Sequence, residues 1–185
     1  MSEINPVCSK CVSIGEVTCC GCKPWIPLTI EDIKRISKIL KCDPEKFAVA
    51  EERTKEETLY FDEWRLENLP KIDERYYMTC MRKNGNSCIF LKKDFNNGCT
   101  LGSNRAFICK LYPFWVNSKN ELVYEADDFC YFVKDGVPTQ KALQILGESE
   151  ESIRNYFQHI RQDCIENTTP HKKMIDTLLH KVDDR

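Results

Sequence analysis

Twelve cysteines in 185 residues are the feature best able to do chemistry, and their spacing is uneven. Cys8-x-x-Cys11 is followed, after seven residues, by Cys19-Cys20-x-Cys22, so five of fifteen consecutive positions are cysteine. Two thiolates separated by two residues can reach one tetrahedral metal, because a tight turn aims both sulfurs inward. Packing accounts for an isolated cysteine on a periodic face. It does not account for this run, which carries Gly15 and Gly21 and has no helical or strand period. A second group, Cys88, Cys99, Cys109 and Cys130, lies beside turn or loop chemistry, with Asn84 to Ser87 ahead of Cys88 and Asn96-Asn97-Gly98 ahead of Cys99. Four thiolates fill one tetrahedral site or one four-iron cluster.

The candidate metal ligands are therefore Cys8, Cys11, Cys19, Cys20, Cys22, Cys88, Cys99, Cys109 and Cys130. Cys164 continues the apolar face of a helix, Cys42 follows a helix end and Cys80 sits in an alternating strand, so these three read as packing residues. The histidines, His159, His171 and His180, all fall in the C-terminal portion, which leaves an all-thiolate site. Such ligation suits zinc and iron–sulfur clusters alike. Nine cysteines exceed one zinc site, so two clusters, or a cluster with a zinc, are both open. An iron–sulfur cluster of the 4Fe-4S type is favoured, with zinc as the alternative. Lys10, Lys23, Arg105 and Lys110 lie near the ligands in sequence. Arg105 and Lys110 are candidates to offset thiolate charge from outside the ligand set, whereas Lys10 reads as a solvated base.

The elements that must position these groups read as α+β. Thr29 caps a helix from about Ile30 to Leu40, and Pro44 opens a second, short one. Glu51 to Arg75 is charged and reads as an irregular helix, a lid or an excursion. Tyr76 to Arg82 reads as a strand, Lys83-Asn84-Gly85-Asn86 as a hairpin turn and Cys88 to Leu91 as the returning strand. Phe114 to Val116 and Leu122 to Tyr124 flank a further turn at Asn117 to Asn120, and Asn104 to Leu111 holds one or two helical turns. Thr139 caps a helix to Leu146, Ser149 caps a longer one to about Glu166 with Ile153, Phe157 and Ile160 on one face, and Pro170 opens the last. The expectation is a small antiparallel sheet and cysteine-rich loops packed with several helices. Residues 1–135 form the cysteine-cluster domain and residues 136–185 a helical extension packed on it.

Composition narrows the function. The start lacks the basic and apolar regions of a secretory signal, and no apolar run is long enough to span a membrane. The expected compartment is the cytoplasm, where a reducing environment disfavours a disulfide framework. Net charge is −2 with both signs interleaved, which gives no basic face for nucleic acid. Lys92-Lys93 and His171-Lys172-Lys173 read as solvated surface. The chain has no glycine-rich dinucleotide loop, no phosphate-binding loop and no Cys-x-x-x-Cys-x-x-Cys.

The stretches Cys8 to Cys22, Leu28-Thr29-Ile30-Glu31-Asp32-Ile33, Cys88-Ile89-Phe90-Leu91, Cys99-Thr100-Leu101 and Arg105 to Phe114 resemble, in order and spacing, the YkgJ-type cysteine-cluster family. That resemblance implies a zinc- or iron-chelating domain over roughly Cys8 to Cys130. It implies nothing for the helices after Pro138. The chain departs from the family pattern in carrying Arg105-Ala106 for Arg-Pro, Cys109-Lys110 for Cys-Arg, and a longer gap between Cys11 and Cys19. Some members resemble flagellin lysine N-methylases, which implies a link to protein methylation. Three classes of function follow: a redox or metal-dependent iron–sulfur protein, a structural zinc or interaction module, and a metal-dependent protein-modifying enzyme. A protein partner or protein substrate fits all three.

Overall fold

The computed structural model describes Cys20 and residues 25–54, 69–92, 98–124 and 130–180. Among these the protein is α+β, with six α-helices and three small antiparallel sheets. Thr29 begins the first helix as expected. Its hydroxyl accepts the Asp32 N–H at 2.9 Å, and the Asp32 carboxylate accepts the Thr29 N–H at 3.2 Å. This reciprocal box satisfies donors that the helix cannot satisfy itself. Helix α1 then runs Ile30–Leu40, buries Ile30, Ile33 and Ile36, and ends at Lys41 in a left-handed C-cap. Thr29→Ala is expected to cost about 1 kcal/mol. Urea unfolding at unchanged m-value measures this, and an unshifted midpoint would contradict it.

A 3₁₀ turn at Pro44–Lys46 leads into β1 (Ala48–Arg53). Strands β2 (Lys71–Ile72) and β3 (Arg75–Met81) complete a sheet of order β1-β3-β2, in which Ala48 faces Met81 and Arg53 faces Tyr76. The expected strand at Tyr76 to Arg82 is present, but its partner is β1 rather than the segment from Cys88. The predicted hairpin exists only as a separate two-residue ladder, β4 (Lys83–Asn84) with β5 (Ser87–Cys88), turned by Gly85 at φ +58°. The physical reason is local. Ala48–Arg53 holds two alanines and two acids, which have little β propensity, so its extended form comes from tertiary pairing. Of the segment read as an irregular excursion, residues 55–68 lie outside the described residues.

Helix α2 (Phe107–Leu111) precedes β6 (Phe114–Val116) and β7 (Leu122–Tyr124), which pair as read from the sequence. A one-turn helix, α3 (Tyr131–Lys134), leads to α4 (Thr139–Leu146), α5 (Glu150–Glu166) and α6 (Thr168–His180). Ser149 caps α5 by accepting the Ser152 N–H at 3.0 Å. The cap of α4 is Pro138 rather than Thr139, without a side-chain bond, and Gly147 ends that helix at φ +68°. Among the described residues no helix is long and apolar enough to cross a membrane.

By its internal contacts the chain divides into two units, Met1–Pro24 with Lys83–Phe157, and Trp25–Arg82 with Gln158–Arg185. The division does not fall at residue 135. The helices after Pro138 are divided between the two units. Ala142, Leu143, Ile153 and Phe157 are buried residues of the first unit, where Trp115 meets Phe157 edge-on at 5.1 Å. Ile160, Ile175 and Leu178 are buried residues of the second, in which α6 packs on the three-stranded sheet.

Candidate metal centre

Of the nine candidate ligands, Cys8, Cys11, Cys19 and Cys22 lie outside the described residues. The other five are placed. Cys88 and Cys130 are buried, and Cys20, Cys99 and Cys109 are half-buried. Cys88 ends β5, and its carbonyl accepts the Leu91 N–H at 3.0 Å. Leu91 bridges Cys99, flanked by Lys92 N–H to Gly98 O at 3.0 Å and Thr100 N–H to Phe90 O at 2.8 Å. The Cys99 carbonyl then accepts the Gly102 N–H at 3.0 Å. Cys88 and Cys99 thus each open a tight turn, one on either side of a backbone clasp. Cys109 lies on α2, and the Cys130 carbonyl starts α3 by accepting the Lys134 N–H at 2.8 Å.

The donor set fits a zinc or iron–sulfur centre in its chemistry: it is all sulfur, and none of the eight described cysteines is in a disulfide. Its geometry limits the ligand grouping. Among the described residues no three His, Cys, Asp or Glu side chains come together as a metal-holding group. A centre built from Cys88, Cys99, Cys109 and Cys130 alone is not assembled in this conformation.

Arg105 and Lys110 both engage Tyr156, a residue the sequence reading did not single out. The Lys110 ammonium lies 5.7 Å from the Phe107 ring centroid and 5.3 Å from that of Tyr156. Facing two rings, it is held by their quadrupoles. Arg105 is 8% exposed. Burial, and then the charge of Glu148, push the Tyr156 phenol up, and Arg105 opposes that rise. Tyr156 donates to Glu148 at 3.2 Å, and Ser152 donates to the same oxygen at 2.6 Å.

The second unit holds two polar arrangements of its own. Arg53, 5% exposed, stacks on Trp25 at 3.8 Å and points Nη2 at the Cys80 sulfur at 3.6 Å. Burial pushes the Cys80 thiol up to about 12, with the Arg53 charge acting the other way. Cys80 therefore stays a protonated packing residue at neutral pH, as its strand position suggests. The other arrangement centres on Asp163. Its Oδ1 accepts the Ile30 N–H at 3.0 Å and the Asn167 side-chain N–H at 2.9 Å, and its Oδ2 lies 2.5 Å from His171 Nε2. His171 Nδ1 is 3.4 Å from the Thr79 hydroxyl, and these groups line a small cavity of about 30 Å³ with Leu28, Tyr77 and Ile160. His171 is thus part of a buried network, against the expectation of solvated surface, while Lys172 and Lys173 are exposed as expected. The signal for it was absent because Asp163 sits on another helix and Thr79 lies 92 residues away.

The described residues form an α+β protein in which Cys88 sits on β5 and Cys109 on α2, with Cys99 and Cys130 between elements. No family model, no curated protein and no solved structure matches the chain.

Proposed function

We propose that the chain is a cytoplasmic metal-binding protein that holds an iron–sulfur cluster through thiolates of its N-terminal segment and its middle, in a redox or metal-dependent role. One observation carries the reading. The five described candidate ligands all belong to the first unit, whereas Cys42, Cys80 and Cys164, the cysteines that read as packing residues, all belong to the second. Cysteines placed only for packing have no reason to sort in this way. The short spacings of these cysteines in the sequence support the same ligands. A bound cluster would supply one-electron chemistry. The chain's own contribution would be the thiolates, the clasp that spaces Cys88 from Cys99, and the buried charge of Arg105.

Cys88→Ser and Cys130→Ser are expected to lose at least about half of the bound metal, because a hydroxyl is a poor soft-metal ligand. Cys164→Ala is expected to keep all of it. Metal analysis of the three purified variants decides the matter, and equal metal in all of them would remove Cys88 and Cys130 from the ligand set.

A second reading, structural zinc, is favoured by the sparse regular structure of Lys83–Tyr124. Among its described residues are two strand pairs of two and three residues, one 3₁₀ turn of three residues and one five-residue helix. Short ladders of this kind are marginal alone, and a structural metal supplies what they lack. Acid-labile sulfide in the purified protein separates the two readings.

A further inference from the structure

We propose that Tyr124 is a positioning residue for the Cys130 thiolate, an inference that rests on Cys130 being a metal ligand. Cys130 immediately precedes α3, which has only four residues. A single helical turn gains too few hydrogen bonds to fix itself. Its far end is closed by the Gly136 N–H to Val133 O at 3.0 Å and the Val137 N–H to Phe132 O at 2.9 Å, with Gly136 at φ +60°. The Tyr124 hydroxyl donates to the Val137 carbonyl at 2.7 Å and so ties this closed turn to β7.

Tyr124 is itself held. It pairs with Phe114 across the β6–β7 ladder, and the two rings stack with centroids 5.3 Å apart. The hairpin, the phenol and the Val137 carbonyl thus form one continuous support that ends at Cys130.

The test is Tyr124→Phe, which keeps the ring stack and removes only the hydroxyl. Both proteins are purified with their metal and challenged with excess EDTA, and metal release is followed by absorption and by elemental analysis. Supports of this kind are worth on the order of tenfold in metal retention. Release from the variant is expected to be about tenfold faster, with a shifted visible band, while the thermal midpoint of the metal-free variant matches that of the metal-free wild type. Release within about twofold of wild type with an unshifted band would overturn the role of Tyr124. So would equal destabilisation of the metal-free proteins, which would make the tether structural alone. A wild-type protein without metal would instead refute the metal-binding reading, and Cys130→Ser, measured alongside, shows whether Cys130 is a ligand at all.

Discussion

Asp163→Ala is expected to remove about 1–3 kcal/mol of stability, the scale set by leaving buried donors without their acceptor. The carboxylate is 6% exposed and receives hydrogen bonds from three groups: the backbone N–H of Ile30, the side chain of Asn167 and the ring of His171. Alanine would leave all three donors without that acceptor, and a buried donor left unmade costs more than the bond itself contributed. The Ile30 N–H matters most. It belongs to the first turn of α1, whose other early donors include the Asp32 N–H taken by Thr29, so Asp163 acts as a second acceptor at that helix start. Asp163→Asn should cost less, because it keeps the volume and one acceptor oxygen while placing an amide against the ring. Urea unfolding of both variants measures the difference. A loss under about 1 kcal/mol for alanine would show that the network is not a keystone of the second unit. Metal content should be unchanged, since Asp163 lies in the unit without candidate ligands.

Stripping the metal is expected to act on the opposite part of the chain. Between Lys83 and Tyr124 the described elements are a few residues long, and the loop carrying Cys88 and Cys99 is held by single backbone bonds around the Leu91–Cys99 bridge. Amides at Leu91, Lys92, Thr100 and Gly102 should lose hydrogen-exchange protection by about two orders of magnitude in the metal-free protein, since metal binding and local folding are one equilibrium. Amides of β3, which lies in a three-stranded sheet under α6, should keep theirs. Uniform loss across both units would contradict this localisation. Unchanged protection at Thr100 and Gly102 would show that the loop needs no metal.

Much of the fold was legible because its signals are local. Thr29 with Asp32, Ser149 with Ser152, and Gly85 in its turn each act within three residues, and all sit where the sequence places them. What could not be read depends on distant partners. The strand at Ala48–Arg53 has no alternating pattern and becomes visible only beside β3. His171 looked like the head of a basic surface run because its partner, Asp163, sits on another helix. Likewise, α5 is a single amphipathic helix in sequence, yet Phe157 and Ile160 on its apolar face belong to different units. For the candidate site, sequence supplied the ligand types and spacings. It could not supply the sorting of the cysteines between two units, which is a property of the folded chain. Nor did it mark Tyr124 or Tyr156, since neither stands at a spacing that signals a ligand.

The central claim is that the thiolates of the first unit hold an iron–sulfur cluster, and the direct measurement is iron and acid-labile sulfide in protein purified without oxygen. The expected result is iron and sulfide in equal amounts, with broad visible absorption that bleaches on reduction. A colourless protein with neither iron nor sulfide would contradict the claim.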